Sequence, residues 1–183
     1  MKNNFLLRSL KILKEIVETV VISVVIVLFI RTFLFQPFFV KGESMMPNFS
    51  SGDYLIVDEL TYRFSEPKRG DVIVFRSPNS PSVYFIKRII GLPKERVVIK
   101  EGKIYIYNRQ HPLGFLLKEP YLKNNYTPGN VDITLKENQY FVLGDNRKAS
   151  YDSRIWGPLE KSAIVGIVRL RAWPPSAFAI FTY

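Results

Sequence analysis

No cysteine occurs in the chain, and His111 is its single histidine. A zinc finger, a Cys-ligated cluster or a disulfide framework needs several thiolate or imidazole ligands in one place, so none of these can form. Catalysis by a metal held on His and Cys is excluded, and no cofactor is implied. A chain without thiols carries no mark of a reducing or an oxidising compartment. Also missing are basic runs longer than two residues, a recognition-helix pattern and an aromatic RNA-binding signature. The net charge of +10 therefore does not point to nucleic acid, and a lipid headgroup surface is the alternative anionic partner. There is no internal repeat and no low-complexity segment.

What the 183 residues do contain is one long apolar run, IVETVVISVVIVLFIRTFLF at 16–35. Its length matches the roughly 20 residues a helix needs to cross a hydrocarbon core. Its charges, Glu18 and Arg31, lie near the two ends, where long side chains reach the headgroups. A cleavable leader would show a small-x-small site after the run, and RTFLFQPFF at 31–39 offers none, so a retained anchor is expected. Four basic residues precede the run (Lys2, Arg8, Lys11, Lys14), which places residues 1–15 in the cytoplasm, 16–35 across the plasma membrane and 36–183 outside. Phe33, Phe35, Phe38 and Phe39, with Trp173, Phe178, Phe181 and Tyr183, are candidates for an aromatic platform at the lipid surface.

Beyond Pro37 the pattern turns to short stretches rich in Val, Ile, Tyr and Phe between Gly, Pro, Asn and Asp. Strands are predicted at 38–41, 54–59, 71–76, 84–91, 96–101, 103–107, 139–144 and 163–171. The expected fold is mostly β: one antiparallel sheet domain with a small polar hairpin or cap inserted at 102–138. His111 precedes Pro112 within that insertion and reads as solvated.

A Ser nucleophile normally uses His as base. With His111 set aside, the base in this chain would be a Lys whose burial populates the neutral amine. Ser44 lies in GESMMP at 42–47, a turn stiffened by Pro47. Lys87 lies in YFIKRII at 84–90, and alternation puts it on one face with Phe85 and Ile89. Arg88, on the other face, stays protonated and cannot be a base. GDNRKASYDSRIWGP at 144–158 crowds hydroxyls, acids and arginines between two glycines. Taken singly, these segments also fit a capping hydroxyl, an edge-strand charge and a solvated turn.

In this order and after one anchor, the segments resemble the bacterial type I signal peptidases, Ser/Lys-dyad serine proteases. The matches are GESMMP with GDYLIV, KRGDVIVF with YFIKRIIGLP, and GDNRKASYDSRIWG. One span and a short insertion are more similar to the Gram-positive type. The resemblance implies an endopeptidase that removes N-terminal signal peptides from exported precursors, cutting after small residues at positions −1 and −3. It implies Ser44 as nucleophile, Lys87 as general base, Ser150 as the hydroxyl that orients Lys87, and Asp145, Asp152 and Arg154 as braces of the loop. The Ser44 N–H would be one oxyanion donor; some members carry Ser where this chain has Gly42, which leaves the second donor unassigned. Substrate would add as an extended strand, and Phe38, Val40, Met45, Phe85 and Ile86 are the candidate pocket walls. The implied partners are exported preproteins and membrane lipid, with the enzyme a monomer near the secretion translocon. A self-cleaving protease of the same fold and a catalytically inactive membrane-anchored binding module are the alternative readings.

Overall fold

The computed structural model describes the backbone of residues 2–33 and 35–182 and the side chains of residues 11–27 and 36–182. Helix α1 (Lys2–Phe33) opens the chain. Its apolar side chains are bare from Ile12 to Val27, each more than half exposed or close to it. Among the described residues no helix is long and apolar enough to cross a membrane. The expected span at 16–35 runs past them, since the side chains of 28–35 lie outside the described residues.

The rest is two antiparallel sheets. The first runs in the order β1 (Phe35–Phe39), β2 (Tyr54–Asp58), β11 (Ile164–Trp173), β3 (Val72–Ser77), β4 (Ser80–Gly91), β9 (Gln139–Leu143) and β10 (Leu159–Glu160), with β12 (Ala179–Ile180) on β11. The second runs β7 (Phe115–Leu116), β6 (Lys103–Tyr107), β5 (Arg96–Lys100), β8 (Val131–Thr134). Two one-turn helices, α2 (Thr61–Phe64) and α3 (Ser153–Trp156), complete the named elements.

Sequence pattern sets each strand's place. Val72, Ile73, Val74 and Phe75 form a continuous apolar run, and β3 is buried on both faces between β4 and β11. Val72 and Val74 join one core with Val40, Met45, Phe49, Leu55 and Val168, while Ile73 and Phe75 join another with Ile89, Tyr140 and Val142. In β5 and β6 the apolar residues alternate instead, so Val97, Ile99, Ile104 and Ile106 face inward against Ile90, Phe141 and Leu143 of the first sheet. The hairpin between them turns on Glu101 and Gly102, whose φ of 54° and 75° suit the tight turns that match strand twist.

The eight expected strands all appear, with ends shifted by a few residues; β7, β8, β10 and β12 are two to four residues long and carry too little periodicity to read. The second sheet takes β5 as well as β6, so the segment apart from the main sheet begins before the expected boundary at 102. Of the expected aromatic platform, Trp173 and Phe178 are exposed, whereas Phe181 stacks on Phe49 at 5.0 Å against the first core. The side chains of Phe33, Phe35 and Tyr183 lie outside the described residues.

Candidate active site

Ser44 enters the site on the turn between β1 and β2. Met46 N–H donates to the Glu43 carbonyl at 3.1 Å and Phe49 N–H to the Met45 carbonyl at 2.9 Å, so the turn is closed on itself. Met45 and Phe49 are about fully buried and anchor it from below. Lys87 comes from β4, where its partner across the sheet is Ile73. Its Nζ lies 2.7 Å from Ser44 Oγ and 2.7 Å from the Ile86 carbonyl oxygen. The Phe85 ring centroid is 5.5 Å away, and Lys87 is only 4% exposed. Burial pushes its pKa down from the usual 10.5 to about 8, against the opposing pull of the Asp152 and Asp145 charges. A lysine in this setting is neutral in a useful fraction of molecules near neutral pH.

The third piece is the segment after β9. Gly144 makes it possible: a Cβ there would collide with Ser150 Oγ and with the Ser44 carbonyl oxygen, so the loop and the nucleophile turn approach backbone to backbone. Asp152 accepts from both Arg154 Nε and Nη2 at 2.8 Å and from the Gly144 N–H at 3.1 Å. Asp145 is held from outside the loop, by Arg88 Nε at 2.9 Å and Nη2 at 2.7 Å. Arg147 donates to the Gly144 carbonyl at 3.0 Å and to Glu119 and Thr127. Glu119 also accepts from Tyr121, over whose ring the Arg88 guanidinium lies at 3.9 Å. All three ion pairs are nearly free of solvent.

Each sequence-derived residue can now be placed. Ser44 and Lys87 meet directly. Asp145, Asp152 and Arg154 sit in the buried bonding just described. Ser150 Oγ is buried and makes no hydrogen bond among the described residues; the Lys87 bonds go to Ser44 and Ile86, so the expected Ser150 to Lys87 bond is not formed. A groove of about 690 Å³ runs up to the dyad, and Phe38, Val40, Phe85 and Ile86 line it. Met45 does not: its side chain points into the core, 1% exposed, where Sδ accepts the Asp145 N–H at 3.4 Å. Its position next to Ser44 placed it among the expected walls, but the turn reverses direction there. Tyr84, Tyr151, Leu55 and Val74 line the groove in addition. Tyr151, in the motif loop, and Tyr84, beside Phe85, were within reach of sequence reasoning, whereas Leu55 and Val74 arrive only through sheet pairing.

Among the described residues no group of His, Asp and Glu side chains could hold a metal ion. What the arrangement can do is deprotonate a hydroxyl beside an open apolar groove, next to a backbone N–H, that of Ser44, that donates to nothing among the described residues.

Comparison with known proteins gives the family. The family described as signal peptidase, peptidase S26, matches residues 13–173. The chain is similar to signal peptidase I of Leptolyngbya laminosa, 37% identical over 171 residues that cover 88% of this chain and 80% of that protein. It is similar to signal peptidase I of Bacillus caldolyticus, 37% identical over 172 residues, 86% of this chain and 90% of that protein. A crystal structure of a signal peptidase I from Enterococcus faecalis V583 is 34% identical with a TM-score of 0.48, covering 56% of this chain and 97% of that one. With its match running from the first helix to the end of β11, this chain belongs to the signal peptidase family, peptidase S26.

Proposed function

We propose that this signal peptidase cuts exported precursors with Ser44 as nucleophile and Lys87 as general base. The activity itself, endoproteolytic removal of signal peptides by a serine peptidase, goes with the family. The observation that carries the mechanism is the 2.7 Å contact between Lys87 Nζ and Ser44 Oγ on a buried apolar face.

As an ammonium, Lys87 donates to Ser44 Oγ. Once it has lost that proton, Ser44 O–H donates to Nζ, and the Ile86 carbonyl keeps the amine aimed. Nζ takes the Ser44 proton as Oγ bonds to the scissile carbonyl carbon, and the carbonyl electron pair moves onto its oxygen beside the Ser44 N–H. Collapse expels the amine of the mature protein, which receives the proton from Lys87. Water, deprotonated by the same Nζ, then releases the signal peptide as a carboxylic acid. Ser150 remains the candidate orienting hydroxyl: an amine or ammonium Nζ has more hydrogen-bonding capacity than its two present contacts use, and Ser150 Oγ is a buried hydroxyl without a partner beside Gly144.

The substrate reading follows from the groove. An extended segment lying between residues 38–42 and 82–86 would send alternate side chains against Phe38, Val40, Phe85 and Ile86, large walls that leave room for small residues at −1 and −3. The anchor reading rests on the apolar run at 16–35 and on the bare apolar surface of α1 from Ile12 to Val27, which water does not favour. With the basic residues before it, this gives one membrane pass, a cytoplasmic N-terminus and a catalytic domain on the outer side, at the lipid surface and near the translocon, working as a monomer on preproteins.

The test is cleavage of a secretory precursor by folded variants. Ser44→Ala and Lys87→Arg should both abolish product, since Arg keeps the charge and cannot act as a base. Retained turnover in Lys87→Arg would refute the mechanism.

A further inference from the structure

The carbonyl of Glu43 and the N–H of Ser44 belong to one peptide unit, which is planar and trans, so they point in opposite directions. Fixing the first aims the second. Two donors hold the Glu43 carbonyl: the Met46 N–H at 3.1 Å, from within the turn, and the Asn146 side-chain amide at 3.1 Å, from the loop after β9. The backbone N–H of the same Asn146 donates to the Ser44 carbonyl at 3.0 Å. One residue therefore grips the peptide units on both sides of the nucleophile. The Met46 bond closes the turn but moves with it; of the two donors to the Glu43 carbonyl, Asn146 is the one that comes from a second element.

The loop that supplies Asn146 is rigid. Its neighbours Asp145 and Arg147 are buried and locked to Arg88 and to Glu119. Asn146 itself is half-buried, and its side-chain amide makes no other hydrogen bond among the described residues. A solvent-accessible bond between neutral groups adds little to stability. Its effect is on direction: with the Glu43 carbonyl drawn toward Asn146, the Ser44 N–H is turned away from the loop and left free of intramolecular partners.

We propose that Asn146 is a positioning residue for the reaction, aiming the Ser44 N–H at the oxygen of the scissile carbonyl by holding the Glu43 carbonyl from behind. This rests on the Ser44 and Lys87 reading above. Among the described residues no other side chain donates to the Glu43 carbonyl.

The experiment uses the full chain with Asn146→Ala and with Asn146→Asp, which keeps the shape and the backbone bond but sets an acceptor against the Glu43 carbonyl. Both should lose roughly 10- to 100-fold in kcat, less than removal of a direct oxyanion donor costs. In Asn146→Ala, KM, the thermal midpoint and the midpoint of the acid limb of the pH profile should not move; the added charge of Asn146→Asp by itself raises that midpoint. Two inhibitors separate aim from architecture. A substrate-like peptide aldehyde, which Ser44 converts to a tetrahedral adduct, should weaken by the same factor as kcat, and the matching peptide alcohol, which forms no oxyanion, should bind unchanged. Wild-type kcat in Asn146→Ala, equal losses for aldehyde and alcohol, a shifted acid limb in Asn146→Ala, or unfolding of both variants would each overturn the proposal. Failure of the dyad reading shows elsewhere, as turnover by Lys87→Arg.

Discussion

A lysine amine 4% exposed to solvent is expensive to keep. Its pKa falls from 10.5 to about 8, so between those values the unfolded chain binds a proton that the native state does not, and stability rises with pH across that window. Below pH 8 the native state carries the full penalty, on the order of 3 kcal/mol at about 1.4 kcal/mol per pH unit. Lys87→Met should therefore be inactive and more stable than wild type at pH 7, with a gain that shrinks toward zero as pH approaches 10.5; thermal melts of the full chain across that range measure it. A variant no more stable at pH 7 would mean that the amine is well solvated. In the wild type, cleavage should climb with pH along an acid limb centred near 8, read from initial rates. The apolar neighbours of Lys87 were legible because side chains in a strand alternate, which put Phe85 on its side. The missing partner of Ser150 was not legible, because it depends on how two loops settle against each other.

The element on which the site depends is the loop from Gly144 to α3. Three arginines brace it, and they come from three places: Arg154 from its own end, Arg147 from its middle and Arg88 from β4. In the sequence, Asp145, Asp152 and Arg154 form a visible cluster. Glu119 does not stand out, since it sits in a polar, turn-rich stretch, and nothing local couples it to a residue 28 positions later. The pair is nevertheless buried on both sides, at 2% and 3% exposure. Glu119→Gln leaves the Arg147 guanidinium without its counter-charge and should cost about 3–5 kcal/mol, seen as a lower denaturant midpoint. Replacing both partners with apolar residues should cost less than either single change, because no lone charge is then stranded. Additive losses would show that the two side chains act independently. Strand assignment was easier than this, because β3 and β4 announce themselves by apolar runs, whereas β7, β10 and β12 have two residues each and exist only by virtue of their neighbours.

For the molecule as a whole, the proposed anchor and the sheet domain imply a fixed sidedness. Protease added to cells stripped of their wall should digest the domain after Pro37, while a tag placed before Lys11 should survive; protection of the domain would reverse the topology. Within the domain, one strand serves two masters: Lys87 faces Ser44 and the next residue, Arg88, faces Asp145 on the opposite side. Irregularities in pairing between Arg76 and Ser77 and between Ile89 and Gly91 bracket this stretch of β4 and pin its alignment. A slip of one residue would exchange the two side chains and leave an arginine beside the nucleophile. Such a misaligned molecule would keep its strands and would be dead, with the buried charges of Arg88 and Asp145 parted. Specific activity per molecule is then a measure of folding fidelity in its own right, one that circular dichroism, which reports strand content and not strand alignment, would miss.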